Sequence, residues 1–147
     1  MKTKTICIST VFPASVEVIW AKLQKLSTLQ YITAPYMTFK PINNISGIWK
    51  ENSSTDYNLK LFTVIPFGVH TIKVIQFDKT TLSVYTNETS KFVPVWNHRI
   101  VLKKLDNGFT LYTDIVEIKA GWKTIFIYLW GNLFYRHRQR KWLNLLK

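Results

Sequence analysis

The C-terminal run, residues 121–147, limits the possible folds most, because it contains no proline and only Gly131 as an internal glycine. At about 1.5 Å per residue it would form a helix roughly 40 Å long, enough to cross a small domain. Helical spacing aligns Ile125, Tyr128, Asn132, Tyr135, Gln139, Trp142, Leu143 and Leu146 in one stripe, the pattern of a helix laid along a core. Asn132 and Gln139 interrupt that stripe. Amides on such a face find partners inside the fold, look into a cavity, or sit solvated at its margin. Gly131 allows close approach to a neighbouring element, at a cost of about 1 kcal/mol in helix propensity.

The other side of this helix is also apolar at first, through Phe126, Trp130, Leu133 and Phe134. It then turns basic at Arg136, Arg138, Arg140 and Lys141, with His137 among them. Apolar residues beside cations suit an anionic membrane surface or a homodimer, unless loops and earlier helices cover them. The formal charge of +12 favours acidic partners in general. Nucleic acid is not expected, because aromatic and basic residues are not interleaved on any one strand.

The 147 residues suit one domain, 1–147, with a core of its own. The sole cysteine, Cys7, has no internal disulfide partner and lies in a strand-like stretch, where a thiol usually packs as a small hydrophobe. There is no signal-peptide pattern and no run of about 20 apolar residues, so the expected location is cytoplasmic.

Residues 3–12 alternate as a strand. Ser15 then caps a helix with Val16, Ile19, Trp20, Leu23 and Leu26 at helical spacing, and Ser27 opens a shorter helix ended by Pro35. From residue 36 onward the pattern is that of strands: 36–42, 57–65, 69–77, 81–89, 95–105 and 109–119. Between them lie a loop over 43–56 containing Trp49, turns at Pro66-Phe67-Gly68 and 78–80, a break near 90–94, and a hairpin at Asp106-Asn107-Gly108. A meander of this kind must bury one face, and only the terminal helix is long enough to cover it.

This order resembles the START-like helix-grip superfamily, which includes polyketide cyclases and aromatases, birch-pollen-allergen-like proteins and lipid-transfer domains. The residues that carry the likeness are Phe12-Pro-Ala-Ser-Val-Glu-Val-Ile-Trp20, Ile65-Pro-Phe-Gly-Val-His-Thr-Ile72, Trp96-Asn-His-Arg-Ile100, Tyr112-Thr-Asp-Ile-Val-Glu-Ile118 and Tyr135-Arg-His-Arg-Gln-Arg-Lys-Trp142. The nearest likeness is to small bacterial stand-alone members. The resemblance implies an α+β fold: a curved seven-stranded antiparallel sheet around the long C-terminal helix, with two short helices after the first strand. It also implies a hydrophobic pocket between sheet and helix, but no particular ligand, since one fold hosts many functions.

His98, Arg99, Asp114 and Glu117 form the densest ionisable group expected within the fold. A two-residue turn at Asn107-Gly108 sets His98 opposite Glu117, with Arg99 opposite Val116 and diagonal to Asp114. A loop one residue longer sets His98 opposite Val116 and Ile100 opposite Asp114, because a one-residue slip exchanges the faces. His98 held by Asp114 or Glu117 would serve a cyclase-type enzyme as a general base, or the group is a plain cross-strand charge pair. No nucleophile motif, phosphate loop or metal-ligand histidine pair is present, so neither metal nor cofactor is expected. For a site that binds a hydrophobic small molecule or lipid, the expected lining is Tyr57, Leu61, Tyr85, Trp96, His98, Ile125, Tyr128 and Asn132. Carrier, cyclase-type enzyme and membrane-surface or interaction protein are the three classes left open.

Overall fold

The computed structural model describes residues 2–43 and 46–147. In chain order the elements are β1 (Lys4–Phe12), α1 (Val16–Leu23), α2 (Leu26–Thr33), β2 (Met37–Pro41), β3 (Ser54–Leu61), β4 (Ile65–Asp78), β5 (Ser83–Ser90), β6 (Val95–Lys104) and β7 (Thr110–Lys119). A 3₁₀ turn (Gly121–Lys123) then leads into α3 (Thr124–Leu145). Seven antiparallel strands form one sheet in the order β1-β7-β6-β5-β4-β3-β2. The expected α+β architecture is therefore observed. Because β1 pairs with the last strand, α1 and α2 connect the two edges of the sheet, and α3 packs on β1, β7 and α2.

Local chemistry accounts for most boundaries. The Ser15 hydroxyl accepts from the Val18 amide and caps α1. α2 begins at Leu26, one residue before Ser27, and Lys25 occupies its cap position without a side-chain bond. Gly131 sits where α3 meets the sheet. A Cβ there would lie 2.6 Å from Ile6 Cδ1 and 3.5 Å from Ile118 Cδ1, so a side chain at this position would have to displace the tip of Ile6.

Several expectations are corrected. The turn expected at Pro66-Phe67-Gly68 lies instead at residues 62–64, where Phe62 and Thr63 adopt positive φ of 52° and 64°. Pro66 and Gly68 belong to β4, beside a register shift opposite Leu59 and Lys60. β3 starts at Ser54, inside the stretch read as loop; Asn44 and Ile45 of that loop lie outside the described residues. Cys7 is exposed, because β1 turns Ile6 and Phe12 inward and leaves Cys7 on the opposite face.

The β6–β7 hairpin takes the longer of the two loops. The Leu105 amide donates to the Phe109 carbonyl at 2.9 Å, and Gly108 has φ 84°. That left-handed residue closes a three-residue hairpin. His98 accordingly faces Val116 across the ladder, and Ile100 faces Asp114.

The interior divides in two. Around the C-terminal half of α3, Trp142 is fully buried and packs on Phe12 and Tyr112 at ring separations of 5.7 and 5.6 Å, with Ile19, Trp20 and Leu102 in the same cluster. The second cluster gathers β2–β4, Trp96, Val116, Phe134 and Tyr135. This second cluster forms most of the wall of an open space, to which Leu23, Ile32, Val84 and Ile100 of the first also contribute.

Candidate functional site

A cavity of about 290 Å³ lies between the sheet and α3. Strand alternation supplies one wall: Met37 and Phe39 from β2, Leu59 and Leu61 from β3, Val84, Thr86, Glu88 and Ser90 from β5, and Trp96, His98 and Ile100 from β6. On β4, His70, Ile72 and Val74 face in. A bulge between Val74 and Gln76 then changes the phase, so Phe77 also reaches the cavity. Helix α2 contributes Thr28, Leu29 and Ile32, and α3 contributes Phe126, Ile127, Trp130, Phe134, Tyr135 and Arg138. Phe126, one of these lining residues, is itself 63% exposed.

The lining is mostly apolar, with two imidazole–carboxylate pairs at its inner face. His98 Nε2 lies 2.6 Å from Asp114 Oδ1, and His70 Nε2 lies 2.8 Å from Glu88 Oε1. Each pair joins adjacent strands diagonally. Gln139 Nε2 donates to Asp114 Oδ2 at 3.0 Å and to the Ile8 carbonyl at 2.8 Å, and the Thr10 hydroxyl donates to Gln139 Oε1. The Thr86 hydroxyl donates to Glu88 Oε2 at 2.7 Å. Trp96 Nε1 donates to the Tyr135 hydroxyl at 2.9 Å.

Burial alone would raise the pKa of Asp114. The hydrogen bond and charge of His98, the charge of Arg138 and the Gln139 amide together outweigh it and hold the carboxyl below its ordinary value of 3.8. Glu88 follows the same logic: burial opposes ionisation, but His70, His98 and Thr86 hold it below 4.5. Burial pushes the Tyr57 phenol up to about 12, only partly countered by Thr55.

Of the residues expected to line a pocket, Leu61, Trp96 and His98 do so. Tyr57 is fully buried beside the cavity and borders a smaller hollow of about 220 Å³. Tyr85 lies on the outer face, where Arg99 stacks on its ring at 4.4 Å and also donates to Gln76 and Ser83. Ile125 is 42% exposed, Tyr128 packs near Lys4, and the Asn132 amide donates back to the Tyr128 carbonyl. These three fall outside the cavity because only the C-terminal part of the expected stripe turns inward: Tyr135, Gln139 and Trp142 are buried as expected, whereas the first half of α3 presents a different face. That half is apolar all round, so spacing alone could not choose between faces, and Gly131, Phe134, Tyr135, Arg138, Gln139 and Trp142 turn inward.

Glu117 is exposed and accepts from Asn97 Nδ2 on the outer face, so Asp114 alone partners His98. The expected apolar and basic surface of α3 is also split. Trp130 and Phe134 line the cavity, and Arg138 is buried. Lys141 lies 4.1 Å over the Tyr31 ring, while Arg136 and Arg140 remain exposed. The exposed stripe on α3 and the turn before it is instead Trp122, Phe126, Leu129 and Leu133.

Residue-by-residue reading missed His70, Thr86, Glu88, Trp130, Phe134 and Arg138 as lining. For Thr86 and Glu88 the signal was present, as strand alternation through Val84, Thr86, Glu88 and Ser90.

Solved structures share this architecture at low sequence identity. A Chromobacterium violaceum protein is 12% identical with a TM-score of 0.72, covering 97% of this chain and 96% of its own. A Mycobacterium smegmatis protein is 14% identical with a TM-score of 0.73, covering 100% and 96%. Another from M. smegmatis, described as a START superfamily protein, is 11% identical with a TM-score of 0.73, covering 97% and 96%. No curated protein matches the sequence. Among the described residues, no helix is long and apolar enough to cross a membrane. With a START-like helix-grip fold, and with residues 10–145 matching its family model, the chain belongs to the family described as Domain of unknown function (DUF8410).

Proposed function

We propose that the protein binds a hydrophobic or amphipathic small molecule or lipid between the sheet and α3. The observation that carries this reading is the cavity of about 290 Å³, lined mainly by aliphatic and aromatic side chains, with a few polar groups gathered at its inner face. That composition is typical of small-molecule sites, in which apolar walls supply affinity and a few polar groups fix orientation. The space is bordered mainly by the cluster around Trp96 and Tyr135, with Ile32, Val84 and Ile100 of the cluster around Trp142 closing one side.

Titration with a fluorescent hydrophobic dye such as 1-anilinonaphthalene-8-sulfonate tests the reading. One-site saturation is expected, and Leu61→Trp, at a half-buried lining position, should weaken it by about tenfold through steric filling. The melting temperature should change little, because Leu61 is not in the closed core. Non-saturating dye uptake, unchanged in Leu61→Trp, would show surface adsorption and defeat the proposal.

A further inference from the structure

Arg138 is buried, with 6% of its surface exposed, and it lines the cavity. Its guanidinium lies over the Tyr135 ring at 4.9 Å and the Phe134 ring at 5.8 Å. No ion pair joins it to a described residue, and its buried Nε has no hydrogen-bond partner. The two nearby carboxylates are already engaged, Asp114 by His98 and Gln139, and Glu88 by His70 and Thr86. A buried cation without a direct partner is costly, and buried charges in native proteins are normally paired.

Resting on the binding reading above, we propose that Arg138 receives the carboxylate of an anionic amphiphile whose hydrocarbon tail runs along α3 toward Phe126. The planar guanidinium fork matches a carboxylate, and its pairing there would be a charge-assisted hydrogen bond in a dry site. Arg138 and Phe126, both lining residues, lie about 18 Å apart along the helix axis. Trp130, Phe134 and Leu61 lie along the lining and would contact that tail.

Calorimetric titration of the delipidated full chain with decanoate and with decan-1-ol, which have equal chain lengths, tests the assignment. Wild type should bind decanoate about tenfold or more tightly than the alcohol, the scale expected for hydrogen bonds to a charged group. Arg138→Met should lose that preference, binding decanoate no more tightly than decan-1-ol, and Arg138→Lys should keep part of it as a point charge. Equal binding of the two ligands by wild type would overturn the assignment without needing any variant. An unchanged preference in a folded Arg138→Met protein would overturn it too. If decanoate fails to bind while the dye still saturates, the carboxylate assignment falls and the binding reading stands; if neither binds, both fall.

Discussion

Replacing His98 by leucine is expected to destabilise the protein by about 1–3 kcal/mol, the usual cost of leaving a buried polar group without its hydrogen-bond partner. Asp114 has no exposed surface, and His98 supplies its shortest hydrogen bond, at 2.6 Å. Without that bond the carboxylate keeps only the Gln139 amide as a side-chain donor. Adding Asp114→Leu to His98→Leu should recover much of the loss, because a hydrophobic replacement of a whole buried pair is often neutral. Urea denaturation of the single and double variants measures both steps. A single-variant cost below about 1 kcal/mol would mean that the pair behaves as a surface ion pair does.

The same pair sets an acid dependence with a definite sign. Asp114 and Glu88 titrate below their ordinary values in the folded state, so their contribution is fully present above the unfolded pKa values of 3.8 and 4.5. It is lost as the pH falls through the lower folded-state values. Wild type should therefore lose stability steeply below about pH 4, and Asp114→Asn should show a lower plateau at neutral pH with a shallower acid slope.

Trp142→Ala is expected to cost about 3–5 kcal/mol, the range for truncating a large buried aromatic. Trp142 is fully buried and packs against both Phe12 and Tyr112, so its removal would leave a void inside the tightly packed half. Trp122→Ala, at a site 72% exposed, should lie within about 0.5 kcal/mol of wild type. Thermal and urea unfolding of the two variants compares them directly. Equal effects would contradict the placement of Trp142 in a closed core and of Trp122 on the surface.

The order of elements was legible because each rests on local chemistry: the alternation of residues 3–12, the Ser15 cap, the Asn107-Gly108 turn and the uninterrupted terminal helix. The 62–64 turn was not legible, because Phe62 and Thr63 adopt positive φ without the glycine or asparagine that usually signals it. The bulge in β4 concealed the His70–Glu88 pair by breaking the strand period on which cross-strand alignment depends. The orientation of the first half of α3 was the largest loss, whereas Tyr135, Gln139 and Trp142 in its second half are buried as their spacing predicts. Trp130 and Phe134 on one side and Ile125 and Tyr128 on the other are equally apolar, so spacing did not choose between them; in the fold, Gly131 is the residue that meets Ile6 and Ile118. Arg138 read as one more cation in a basic run, and only the tertiary fold separates it from Arg136 and Arg140.

Native mass spectrometry of the full chain after incubation with a medium-chain lipid mixture tests most directly whether the space between sheet and α3 holds a guest. The account predicts a one-to-one adduct that disappears on denaturation and is weakened in Leu61→Trp. A spectrum containing only the bare chain, at lipid concentrations well above those that saturate known carriers of similar ligands, would contradict it.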